Sequence, residues 1–172
     1  MPTQTVQFDI TDFRSHFDAM YVGAIPRLLN DDGAFLSFLA TLTATDALAG
    51  FCAPNLGTGE RFRAFVVRFF PKEFASLAES LWQFRNLMVH SFNPGPFILT
   101  FHQSRLHLTV QDGRTVLNAE DFYAALVTAS RQYFDALLND EALQRQFALR
   151  LVDDDGGGIQ THTMSRDAGG EV

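Results

Sequence analysis

The sequence predicts a mainly α-helical fold, a bundle of about five helices with a short three-stranded β-meander inserted before the last helix. Three observations predict it. Apolar residues recur every three or four positions through most of the chain, the signature of one-faced helices. Between residues 97 and 117 the period drops to two. Clusters of Asn, Asp, Pro and Gly separate these stretches and mark turns.

Asp9 or Thr11 can cap a first helix running to about Leu29, with Phe13, Phe17, Met20, Ala24 and Leu28 on its apolar face. Asn30-Asp31-Asp32-Gly33 makes a turn. A second helix follows, in which Phe35, Phe38, Leu39, Leu42, Leu48 and Phe51 form one stripe, and Pro54-Asn55-Leu56-Gly57 ends it. The third spans Thr58 to Phe70. Pro71 then suits the start of a fourth, over Lys72 to His90. Apolar residues on several sides of this fourth helix predict a central position. Asn93-Pro94-Gly95-Pro96 stops it. Phe97–Phe101, Leu106–Val110 and Thr115–Leu117 read as strands, the last two joined by Asp112-Gly113, a strong hairpin signal. Asn118 caps a long last helix, with Glu120 and Asp121 in its first turn and Asn139-Asp140 as a break before Leu151.

The chain has 172 residues, enough for one domain (1–152) and a tail (153–172). The tail, rich in Asp and Gly, buries too little apolar area to offset ordering and is expected to be disordered. Eighteen phenylalanines are expected to dominate the core. Cys52 is the single cysteine, so no intrachain disulfide forms and a reducing, cytoplasmic setting is expected. No apolar run approaches the ~20 residues of a membrane span, and residues 1–10 lack a signal peptide's pattern. No cofactor is expected, because the chain has no phosphate-cradling glycine loop, no histidines at zinc spacing and no nucleophile motif. His102 and His107, on or beside the predicted hairpin without a nearby Cys, read as exposed strand residues.

The formal net charge is -7, but it is unevenly spread. Residues 58–117 carry seven Lys or Arg against four acids, and a locally basic surface tolerates a phosphate whatever the total. In this middle third lies Arg85-Asn86-Leu87-Met88-Val89-His90. Five residues at ~100° each place Arg85 and His90 about 140° apart around the helix axis. They are not stacked, but a long Arg and a terminal His can flank one groove. A guanidinium grips a phosphate with two parallel hydrogen bonds, and an imidazole moves protons. A structural role is equally physical, with Arg85 paired to an acid and His90 capping the last carbonyls.

The segment Leu81-Trp82-Gln83-Phe84-Arg85-Asn86-Leu87-Met88-Val89-His90 resembles the R-x4-6-H signature of the HEPN superfamily, with the polar residue that often follows its Arg. The resemblance extends loosely over residues 11–150. It implies a small helical bundle and a metal-independent endoribonuclease acting on RNA as a homodimer. In that family such enzymes serve toxin–antitoxin and defence systems, which implies a protein antitoxin or other regulatory partner. Carried over by position, Arg85 and His90 are catalytic, Asn86 assists, and Asp46 is the candidate acid facing the motif from an earlier helix. Members silenced by a nucleotidyltransferase extend the motif to a Tyr two places after His. Phe92 stands there and has no hydroxyl to modify. A non-catalytic HEPN-like module that dimerises or binds a partner or nucleotide is the other expectation.

Overall fold

The computed structural model describes residues 10–153. They form a mainly helical protein with a small three-stranded mixed sheet. The helices are α1 (Ile10–Phe17), α2 (Ala34–Cys52), α3 (Thr58–Phe69), α4 (Ala78–Ser91), α5 (Ala119–Asn139) and α6 (Glu141–Asp153). The strands are β1 (Phe97–Thr100), β2 (Val110–Gln111) and β3 (Arg114–Asn118). The predicted cap Asp9 and the tail beyond Asp153 lie outside the described residues, and Thr11 sits inside α1 instead of capping it.

The first predicted helix is broken. After Phe17 the chain passes into a π-helical turn, Asp18–Val22, closed by Gly23 N–H on Asp18 O at 2.7 Å, and then a 3-10 turn, Ile25–Leu28. Pro26 has no N–H to continue an α-helix, but it suits the first positions of the tighter turn. Phe13 and Phe17 are buried, whereas Met20 turns to solvent.

The central helix is α2, not α4. It packs against α3, α4, α5 and α6. Phe38, Leu42, Ala44, Leu48 and Ala49 are buried on it, while Phe35 and Leu36 are exposed. Its buried hydroxyls are satisfied within the helix: Ser37 Oγ donates to Ala34 O at 2.6 Å, Thr41 Oγ1 to Ser37 O at 2.8 Å and Thr45 Oγ1 to Thr41 O at 2.8 Å. At 19 residues α2 is long and apolar enough to cross a bilayer, contrary to the expectation of no such segment. Half of it is buried inside the molecule. A helix apolar on all sides needs surrounding in either setting.

A 3-10 turn, Lys72–Leu77, precedes α4, so the helix proper begins at Ala78. Its buried residues Leu81, Phe84 and Met88 form one stripe, and Val89 is exposed. Phe84 meets Phe38 of α2 at 6.1 Å and Phe97 of β1 at 5.3 Å between ring centroids. These contacts seat α4 between the central helix and the sheet.

The strands are not a meander. The order is β1-β3-β2, with β1 parallel to β3 (Phe97 opposite Thr115) and β2 antiparallel to it (Val110 opposite Thr115). A parallel pair needs a crossover of about a dozen residues, and residues 101–113 supply it. Phe97, Val116 and Leu117 are fully buried, so β1 and β3 share the core side, while the two residues of β2 form an exposed edge. Much of the predicted strand Leu106–Val110 is turn. The Asp112-Gly113 hairpin holds, both residues having positive φ (50° and 73°).

Asn118 stands at the start of α5, but its side chain makes no capping bond. It is fully buried, and its Oδ1 accepts Gln103 N–H at 3.0 Å. Its Nδ2 donates to Asp121 Oδ2 at 2.6 Å and to Glu120 Oε2 at 3.0 Å. The residue therefore ties the crossover to α5. Two helices follow the sheet, because Asp140 opens α6 by accepting Ala142 N–H at 2.8 Å and Leu143 N–H at 3.2 Å. Those N–H groups, Leu143's foremost, hold the Asp140 carboxyl below its ordinary range, with help from Arg68.

His102 and His107 are not two alike strand residues. His102 lies in the crossover at positive φ with its ring against Glu120. His107 is half-buried against Phe74, and its Nδ1 accepts Asn118 N–H at 3.2 Å. Burial pushes the His107 imidazole down, opposed by the charges of Asp121 and Glu73. A group depressed in the fold stabilises it fully above the unfolded value of about 6.5 and loses that contribution as pH falls through the folded value. NMR of the imidazole nitrogens should find the proton on Nε2 and a midpoint below 6.5. An Nδ1–H tautomer would show that the bond from Asn118 does not form.

Candidate functional site

Asp46 on α2 faces Arg85 on α4 across 39 positions of sequence, because the buried Leu81 and Met88, four before and three after Arg85, lie beside it on the helix and hold that side against the core. Arg85 Nη2 donates to Asp46 Oδ2 at 2.7 Å. Its Nη1 donates to Asn86 Oδ1 at 3.2 Å, and its guanidinium carbon lies 5.5 Å from the Trp82 ring centroid. Trp82 is itself fixed: its ring lies 5.6 Å from that of Phe62, and a Cβ on Gly59 would stand 2.9 Å from the indole. A carboxylate, an amide and an aromatic face thus hold one guanidinium.

The pair is only partly shielded, with side-chain exposures of 25% for Arg85 and 15% for Asp46. Asp46 Oδ1 is buried without a hydrogen-bond partner. It is an acceptor with free capacity beside the guanidinium.

His90 is exposed in the last turn of α4. Among the described residues it has no hydrogen-bond or ion-pair partner. The capping alternative fails for it, since Ser91 Oγ donates to Leu87 O at 3.0 Å and the N–H groups of Phe92 and Asn93 also reach Leu87 O. Asn86 lies one turn before His90 on the same helix face. The structure therefore links Asp46, Arg85 and Asn86 directly, and Asn86 leads along α4 to His90. Immediately beyond, Phe92 ends the helix in the left-handed region (φ 52°) with 78% of its surface exposed. A bulky residue is rare in that conformation.

Two features have no distinctive signal in the sequence pattern. Trp82 precedes Arg85 by three positions, a helical spacing that signals contact, yet it reads as core on hydropathy alone. The network of Asn118, Glu120, Asp121 and His102 has no motif, because its members meet only when the crossover folds over α5. A surface depression of about 310 Å³ lined by Cys52, Arg68, Asp140 and Gln146 lies between the end of α2 and the start of α6, away from the motif. Among the described residues no three His, Cys, Asp or Glu side chains gather as a metal site would require.

Truncating Arg85 to Ala should cost about 1–3 kcal/mol, because it leaves a mostly buried carboxylate without its cation. Asp46→Asn should cost less, since an amide oxygen still accepts. His90→Ala should stay within about 0.5 kcal/mol of the parent, as for other exposed positions. Urea denaturation checks all three, and a costly His90→Ala would contradict its exposure. No protein-family model matches the chain, and no curated protein or solved structure is significantly similar to it.

Proposed function

We propose that the chain is a HEPN-like helical bundle acting as a metal-independent endoribonuclease, with Arg85 and His90 catalytic and Asn86 assisting. The observation that carries this reading is the hydrogen-bonded chain from Asp46 through Arg85 to Asn86, one helical turn before an exposed, unbonded His90. Asp46 orients Arg85, which stabilises negative charge on the phosphorus centre in the transition state. One imidazole takes the proton of the ribose 2′-OH as that oxygen bonds to phosphorus. A second imidazole gives a proton to the 5′-oxygen as its bond to phosphorus breaks.

One His90 per chain cannot readily do both jobs in one step, and a two-fold dimer supplies the second. Val89 and Phe92 flank His90 and are both exposed, an apolar margin suited to a second copy. In the setting implied by the motif, RNA is the substrate and a protein antitoxin or similar regulator is the partner.

The Arg85–Asp46 pair also favours a second reading, in which the motif is structural and the chain is a non-catalytic module that dimerises or binds a partner or nucleotide. One experiment separates the two. The enzyme cleaves single-stranded RNA in the presence of EDTA, leaves 2′,3′-cyclic phosphate ends and spares DNA of the same sequence, which lacks the nucleophile. His90→Ala abolishes cleavage without changing the melting temperature, and sedimentation gives twice the chain mass, falling toward one for Phe92→Asp. A parent inert across varied RNAs would leave the second reading standing.

A further inference from the structure

Gly50, one turn after Asp46 on α2, is buried where α3 and α6 both pass. Around it two arginines converge. The guanidinium carbon of Arg61 from α3 lies 3.7 Å, and Nε of Arg150 from α6 lies 3.8 Å, from where a Cβ on Gly50 would stand. Both side chains are half-buried. Neither has an ion-pair partner among the described residues, and Arg61 Nε is buried with no acceptor. The other half-buried arginines each have one: Arg14 meets Asp135 at 3.4 Å, Arg63 meets Glu79 at 3.2 Å and Arg85 meets Asp46 at 2.7 Å.

Two like charges on one patch repel, and a buried N–H without an acceptor is costly. An oxyanion removes both penalties. The guanidinium fork suits the tetrahedral oxygens of a phosphate, and a glycine beneath leaves the patch free of side-chain bulk. We propose that Arg61 and Arg150 form a phosphate-binding site over Gly50, and that it holds a backbone phosphate of the RNA strand. The first clause stands on these residues alone, whereas the second rests on the ribonuclease reading. The four residues from Asp46 to Gly50 rise about 6 Å along α2. The site therefore lies apart from the phosphate at Arg85, which makes it a positioning site outside the reacting atoms.

The test uses the full chain and inorganic phosphate, against chloride at equal ionic strength. Phosphate raises the melting temperature of the parent and of Arg85→Gln. It fails to do so for Arg61→Gln and Arg150→Gln, which in chloride melt no lower than the parent because a repulsion has been removed. Gly50→Glu, which supplies a carboxylate to the same patch, also loses the phosphate response and melts higher in chloride, while Gly50→Ala keeps the response. A phosphate shift that survives both arginine variants overturns the site. In the RNA arm, Arg150→Gln raises KM at least fivefold with kcat within twofold. An unchanged KM with the phosphate shift lost assigns the patch to free phosphate and overturns the RNA clause. A parent that binds phosphate there yet cleaves no RNA overturns the ribonuclease reading and leaves the site itself in place.

Discussion

A long helix that is apolar on every side draws cover from whatever packs beside it, and α2, half of it buried, imposes that demand on the rest of the chain. Its neighbours α3, α4, α5 and α6 are the cover. The hydroxyls of Ser37, Thr41 and Thr45 bend back to carbonyls of their own helix, so they can be buried without help from outside. Asp46 has no such escape. A carboxylate on a core helix needs a cation, and Arg85 is the one brought to it. The candidate site is thus a consequence of how the core helix is enclosed.

The phenylalanines fix which way α4 faces. Phe84 is held between Phe38 and Phe97, and burying an aromatic of this size is worth roughly 1.5–3 kcal/mol. With that flank committed, Arg85 and Asn86 fall on the side toward α2, and His90 emerges into solvent at the helix end. The sheet contributes through Phe97, whose parallel pairing with β3 draws the crossover against α5. Asn118 then locks that crossover by serving groups from both sides.

Charge counted along the sequence overstates what the middle third offers to an anion. Arg63, Arg68 and Arg85 each face a carboxylate, so part of that local excess is already neutralised. Arg61 is different because its neighbour is Arg150, which belongs to the acidic last third. The basic patch of the folded protein is therefore smaller than the basic stretch of the chain and is assembled from two separate regions.

By itself the sequence determined most of the helices, the Asp112-Gly113 hairpin and the Arg85–His90 spacing. Each rests on local rules, since periodicity, turn chemistry and helical geometry involve residues a few positions apart. Its errors have physical causes. The first helix's apolar spacing ran on through a π-helical and a 3-10 turn, and Leu106–Val110 looked like a strand although only its last residue, with Gln111, pairs there. The resemblance to a family motif proposed Asp46 as the facing acid, but only packing across 39 positions put its oxygen on Arg85. Only the tertiary structure decided that α2 and not α4 is central, that β1 pairs parallel to β3, and that Arg61 meets Arg150 over Gly50. Those choices depend on which distant surfaces fit together, and no window of neighbouring residues contains both halves of a fit.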